Sequence, residues 1–327
     1  MRRRDFITLV GGAAVMRPRI ARAQKPQPVI GFLGSQAAAP PRTDPQTIAL
    51  HQGFLDYGLI QDRDFIFEQR FTGGADERFP EFARELARLN ARMILTNTPA
   101  GVRAVQRLDP PLPVVMTNMN DPVGAGLVAS LAHPGNLTTG TASLNEDVTP
   151  KLLEFLREVV PKASIVGVLF NPLNPTNPVI VENLRGKAAS VGLKTVPVAF
   201  KPRDDLDALF AALMAQHPDA LQIIGDPGIG DLRDRVATQA RTHRLPLFST
   251  SLLVVEAGGL VSYGASVYKI LRRTGYYVRK ILDGADPSNL PIEQPTGVEL
   301  IVNLQTAKIL GIEIPATLLA RADRVIE

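Results

Sequence analysis

The stretch VVMTNMNDPVGAGLVASLAHPGNLTTG, residues 114–140, decides the fold. It opens as an apolar strand (Val114, Val115, Met116) and breaks at Asn118, Met119, Asn120, Asp121 and Pro122. The spacing then predicts a short helix over residues 123–131, a turn at His133, Pro134, Gly135 and Asn136, and a second extended piece over 137–140. A polar loop at the carboxyl end of a buried parallel strand is where open α/β sheets bind ligands, because loops and helix N-termini converge on a crevice there. A second series of strand–helix units begins after Gly140, so this stretch reads as the edge of one lobe and the bridge to another.

Working outward, the alternation holds on both sides. Toward the N-terminus the pattern predicts strands at residues 29–33, 65–71 and 93–95, with helices at 45–57 and 76–90 between them. Thr98–Pro99 reads as a helix start, threonine as the cap and proline in the first turn. Toward the C-terminus, Thr149–Pro150 repeats that punctuation before a helix whose apolar face carries Leu152, Leu153, Leu156, Val159 and Val160. Strands at 165–170, 194–199, 220–224, 247–248 and 260–263 follow, separated by helices at 177–191, 206–216 and 232–243. A long helix over 267–283, a link containing Pro287, Pro291 and Pro295, and a strand at 299–303 close the chain. Such alternation specifies an α/β protein with a parallel sheet in each series.

The first 23 residues read as an address. Arg3–Arg4–Asp5–Phe6–Ile7 has the form of a twin-arginine export signal, an apolar run follows, and Ala21–Arg22–Ala23 supplies a cleavage pattern. Residues 1–23 hold six arginines against Asp5, a net +5; taken from the whole-chain +4, this leaves −1 for the remainder. The basic balance therefore belongs to the signal, and a nucleic-acid partner loses its support. The sequence has no cysteine, which excludes disulfides, thiolate metal sites, a cysteine nucleophile and a lipidated N-terminal cysteine. The expectation is a periplasmic protein, cleaved after Ala23.

Several stretches together resemble one family. They are Val29–Gly31–Phe32–Leu33, Asn120–Asp121–Pro122–Val123, Leu127 to Leu131, Asn171–Pro172, Ala257 to Gly264 and Leu319 to Asp323, in order along the chain behind the signal. The chain is similar to ABC-transporter substrate-binding proteins of the tryptophan- and tyrosine-type uptake group. The resemblance implies a type I periplasmic binding protein: two Rossmann-like lobes with parallel sheets, joined by a three-stranded hinge, with ligand held between them. The expected division is residues 28–145 with 265–288 as one lobe and 146–264 with 289–327 as the other. It implies an ABC permease and ATPase in the inner membrane as partners, a monomer, and no cofactor.

Enzyme motifs compete with this reading. Gly124–Ala125–Gly126–Leu127–Val128–Ala129 fits G-x-G-x-x-A, with Glu146 and Asp147 about 20 residues on. Yet Asp121–Pro122 stands where a tight first turn is needed, so close helix–sheet packing is the favoured explanation. Tyr276 and Lys280 have dehydrogenase spacing but share a helix face with Arg272, Arg273 and Arg279. An exported NAD(P)-dependent oxidoreductase using Gly124, Gly126 and Tyr276 is the alternative. His51, His133, His217 and His243 have no metal-ligand spacing and read as solvated, so no metal is expected. Neither a nucleophile elbow nor a phosphate loop is present, and no enzymatic activity is expected.

What remains is a ring of polar residues at strand ends. Ser35, Thr96, Asn97, Thr98, Asn118, Asn120 and Asp121 come from the first series; Asn171, Asn174, Asp226, Thr250 and Ser251 come from the second. Amides and hydroxyls with one or two carboxylates suit a small polar or zwitterionic solute, its carboxylate at the Thr98 helix start and its ammonium on an aspartate. Tyr263 is a candidate for aromatic stacking. Asn177 and Thr149 are read as helix caps.

Overall fold

The computed structural model describes residues 26–37, 44–201, 204–230 and 232–327; the predicted signal and its cleavage site lie outside them. Five strands form the first sheet: β1 (Val29–Gly34), β2 (Ile66–Phe71), β3 (Ala91–Thr96), β4 (Val114–Met119) and β5 (Thr138–Ala142). They lie in the order β2-β1-β3-β4-β5, every neighbouring pair parallel. β1 reads as an apolar run because helices cover both faces of the sheet. Its Ile30 and Phe32 join a cluster with Leu50, Phe54 and Tyr277, while Leu33 joins another with Phe82, Leu86 and Val102. Gly31 lies beneath Leu86, whose methyl group would stand 2.8 Å from any Cβ placed there.

The second sheet has seven strands: β6 (Ile165–Phe170), β7 (Lys194–Ala199), β8 (Ala220–Ile223), β9 (Leu247–Ser249), β10 (Val261–Gly264), β11 (Glu299–Asn303) and β12 (Arg324–Ile326). Their order is β12-β11-β10-β9-β8-β6-β7. Leu153, Leu156, Ile180 and Leu184 pack into one core cluster of this lobe, and Leu206, Phe210, Val236 and Ala240 into another. Both sheets are wound alike, the opening strand lying between the second and third: β2-β1-β3 and β7-β6-β8. Such winding leaves a crevice at the carboxyl ends of those strands, where the order reverses.

The chain crosses between the sheets three times, at residues 143–145, 265–266 and 294–298. The second crossing leads into the helix Val267–Leu282, which packs on the first sheet through Leu271, Tyr277, Val278 and Ile281. It meets the helix Pro45–Asp56 backbone to backbone: a Cβ on Gly275 would stand 2.0 Å from the Gly53 carbonyl oxygen. Ile292 and Glu293 still belong to the first lobe, donating from their backbone to Leu131 and Gly140 at 2.7 and 3.1 Å. The return at 294–298 brings the chain in from the cleft end, so β11 runs antiparallel to β10. This is the one departure from an all-parallel pair of sheets among the described residues.

Two local expectations are corrected. No helix forms over residues 123–131; the segment is a series of turns. Asp121 (φ 26°) accepts from the Gly124 N–H at 2.8 Å, and Gly126 takes φ 64°, which breaks a helix before it can start. Nor do the two expected caps form: Asn177 lies inside its helix, Asn177–Ser190, which follows Thr176, and the Thr149 hydroxyl is buried without a partner among the described residues. The helices Leu252–Glu256 and Leu304–Leu310, and strand β12, are elements that the sequence pattern did not reveal.

Candidate functional site

A cavity of about 140 Å³ lies where the two crevices face each other. From the first lobe it is walled by Phe32 on β1, Gln69 and Phe71 on β2, Asn97 after β3, and Thr117, Asn118 and Asn120 at the end of β4. Leu50 and Leu271, from the two helices joined at Gly53 and Gly275, complete this wall. From the second lobe come Asn174 after β6, Gly225 and Asp226 after β8, and Thr250 and Ser251 after β9. The crossing residues Ser143 and Asn145 close one end.

Strand β4 is bent to present its polar residues. Asn118 takes φ 58°, a left-handed value that asparagine tolerates well, and its N–H donates to Thr141 Oγ1 at 3.0 Å. The β4–β5 register shifts between Met116 and Met119. Asn120 then sits at the meeting of lobes. Its Oδ1 accepts from the Ser143 hydroxyl and from Asn145 Nδ2 (2.8 Å), and its Nδ2 reaches the Gly225 carbonyl across the cleft at 3.5 Å.

On the second lobe the organising group is the Asp226 carboxylate. Asn171 Nδ2 donates to Oδ1 at 2.9 Å; Asn174 and Asn177 donate to Oδ2 at 3.0 and 3.3 Å. The three asparagines each precede a proline in Asn171–Pro172, Asn174–Pro175 and Asn177–Pro178. This three-residue recurrence brings three amides to one carboxylate, a signal in the sequence that the pattern of strands and helices did not use. Asn177, read above as a cap, is fully buried because its amide is used here.

Several buried polar atoms have no partner among the described residues. Thr117 Oγ1 and Thr250 Oγ1, on cavity-lining residues 1% and 4% exposed, are two. Asn97 Oδ1 is a third, although its Nδ2 donates to Gln36 Oε1 at 3.1 Å. Leaving a buried polar atom unpaired costs about 1–3 kcal/mol. All three belong to residues that line the cavity.

Of the residues singled out from sequence, Asn97, Asn120, Asn174 and Asp226 line the cavity, as do Asn118, Thr250 and Ser251. Asn171 stands behind Asp226. Ser35 and Thr96, just before Gln36 and Asn97, are buried with unpartnered hydroxyls but do not line it. Thr98 is occupied as a cap, accepting from the Gly101 N–H at 3.1 Å. Asp121 is exposed, held in its own turn. Tyr263 packs inside the second lobe against Phe155, ring centroids 5.1 Å apart. Aromatic surface reaches the cavity from Phe32 and Phe71 instead, 5.7 Å apart. Phe32 lies inside an apolar strand run, where a cavity ring cannot be told from a core ring by pattern, and Phe71 ends the mixed strand IFEQRF, whose pattern marks no site.

The oxidoreductase motifs lose their geometry. No helix follows Gly124 and Gly126 to present its N-terminus to a phosphate. The Tyr276 ring is covered by Arg273 at 3.9 Å and lies against Tyr57. Arg273 in turn is held by both Glu293 oxygens at 2.6 and 2.7 Å. His51, expected to be solvated, is half-buried between Phe54 and Phe67, and burial lowers its pKa.

Comparison with known proteins agrees with this architecture. Residues 67–326 match the family described as ABC transporter substrate binding protein. The tyrosine-binding protein of Clostridioides difficile (strain R20291) is 27% identical over 203 residues, covering 62% of this chain and 58% of that relative's length. A conserved domain protein from Vibrio cholerae superposes with a TM-score of 0.81 at 26% identity, over 91% of this chain and 99% of that one. The L-Trp complex of an ABC domain from Streptococcus pneumonia gives 0.78 at 22% identity, over 92% and 100%, a likeness of fold.

Proposed function

Because this chain belongs to the ABC transporter substrate binding protein family, we propose that it is the exported solute-binding component of an ABC importer. Its ligand is a small amino-acid-like or aromatic solute, held between the lobes and handed to a membrane permease and ATPase. The observation that carries this reading is the cavity's division into an aromatic, apolar side and a polar side with unpaired hydroxyls. Phe32 and Phe71 offer surface for a ring. Asn97, Thr117, Asn120, Asn145 and Thr250 offer neutral hydrogen bonds, and Asp226 the carboxylate that an ammonium group favours. The tyrosine named for one relative and the tryptophan bound to a structural neighbour support the same class of ligand. The export signal at residues 1–23 places the mature chain in the periplasm, where it works as a monomer.

A thermal-shift screen of the mature chain against L-tyrosine, L-tryptophan, 4-hydroxybenzoate, a sugar and NAD tests the proposal. A ligand at 100 times its Kd adds about 2.7 kcal/mol to stability. Stabilisation by an aromatic amino acid and none by NAD is expected; stabilisation by NAD alone would overturn the reading. Replacing Arg3 and Arg4 by lysine should leave precursor in the cytoplasm, and fractionation that finds normal mature protein would refute the signal.

A further inference from the structure

The first crossing between the lobes, at residues 143–145, leads directly into the short helix Asn145–Val148. Its first residue already ties the cavity together, since Asn145 Nδ2 donates to Asn120 Oδ1 at 2.8 Å and to the Gly225 carbonyl at 3.4 Å. One lobe supplies Asn120 and the other Gly225. The next residue is Glu146. Its Oε1 is buried and has no hydrogen-bond partner among the described residues. The charged groups that act on it are Asp121, in the turn after β4, and its own helix neighbour Asp147, both acidic. Burial is the larger influence on it, against the backbone N–H groups of Glu146 itself and of Asp121, which favour the charged form. A buried carboxyl is tolerated as a neutral acid and costly as an anion.

We propose that Glu146 is a proton-operated latch between the lobes. Protonated, it stays packed against the Asp121 turn and keeps Asn145 bridging Asn120 and Gly225. Ionised, it leaves the buried position, the crossing helix shifts, and the bridge loosens. The position of Glu146, next in sequence to the bridging residue, makes the carboxyl's charge and the lobe contact one event. This holds whatever solute the cavity takes.

Burial, reinforced by Asp121 and Asp147, raises the pKa of Glu146 to about 7. A group with a raised pKa in the bridged arrangement favours that arrangement at low pH. The advantage is whole below the ordinary carboxylate value of 4.5, shrinks as pH rises above it, and is gone by about 7. Asp76, raised by burial and by Asp226, adds a dependence of the same sign. Only the part that Glu146→Gln removes belongs to the latch.

The chain contains no cysteine, so a spin-label pair at Arg88→Cys and Lys187→Cys reports the distance between lobes without background. In the ligand-free protein the looser population should grow ~10-fold or more between pH 5 and 8. Glu146→Gln should hold the pH 5 distance throughout, apart from the share due to Asp76. A ¹³C-carboxyl titration should show one glutamate with a midpoint near 7 that vanishes in the variant. Should Glu146→Gln fail to fold, Asp121→Asn provides the second test: it removes a negative neighbour, keeps an acceptor for Gly124 N–H, and should move both midpoints down. Lobe distances independent of pH, a pH profile unchanged in Glu146→Gln, or a Glu146 midpoint at the ordinary carboxylate value would each overturn the latch.

Discussion

The two walls of the cavity differ in how finished they are. The second lobe's wall is built on a polar network: Asp226 already takes three amides, from residues 0–8% exposed. The first lobe's wall is apolar where Phe32, Phe71, Leu50 and Leu271 line it, and its polar atoms at Thr117 and Asn97 are left unmatched. The second wall's carboxylate is already hydrogen-bonded while its Thr250 hydroxyl stays open; the first wall sets apolar rings beside unmatched polar atoms. The second lobe therefore acts as a preformed anvil, and the first gains most from what is placed against it.

The sharpest way to break this contrast is Asp226→Ala. It would strand three buried amides at about 1 kcal/mol or more each, so a loss of about 3 kcal/mol or more in urea unfolding is expected, together with loss of ligand. A variant with near-native stability would show that the network is not a unit. Phe71→Ala comes next, acting on the open wall. Removing its ring should weaken binding of an aromatic ligand by about 2 kcal/mol, roughly thirty-fold by calorimetry. Equal loss for a sugar would contradict a ring site.

Thr250→Val is smaller and cleaner, because it deletes a buried hydroxyl that has no partner among the described residues. Stability should be unchanged or slightly higher, while affinity falls about tenfold if that hydroxyl serves only the ligand. A drop in stability without a change in affinity would assign the hydroxyl to the fold. The smallest effect on binding is expected from Thr98→Ala. Losing its cap costs about 1 kcal/mol of stability, read as a lower melting temperature, with affinity held.

Thr98 also shows where sequence is a sound guide. Cap chemistry is local, so Thr98–Pro99 specified the helix start and the cap, while Thr98, also expected to meet ligand, does not line the cavity. The strands were legible for a similar reason: apolar runs bounded by turn residues need no partner to be recognised. Residues 123–131 misled because Leu127, Val128 and Leu131 have helical spacing, while the bond from Gly124 to Asp121 and the left-handed Gly126 decide the backbone. Asn177 and Tyr263 misled because their partners, Asp226 and Phe155, lie 49 and 108 positions away. Phe32 was hidden because a strand covered on both faces has no alternation to separate a cavity ring from a core ring; Phe71 was hidden because it ends a half-exposed edge strand whose pattern marks no site. The antiparallel entry of β11 follows from a detour through the other lobe, which no local pattern records.

The glycine contact at Gly53 and Gly275 bears on the order in which the protein can be made. All five strands of the first sheet have left the ribosome by residue 142, yet one of the sheet's faces is covered by Leu271, Tyr277, Val278 and Ile281. More than a hundred residues of the other lobe must be synthesised before that helix arrives. Until then Ile30, Phe32 and Met93 sit under half a roof, and exposed apolar surface of that kind invites association with other chains. A fragment ending at residue 145 has every strand of its sheet and still lacks a side. Neither lobe is a single length of chain, so the first sheet waits for its last cover until most of the second lobe has been made.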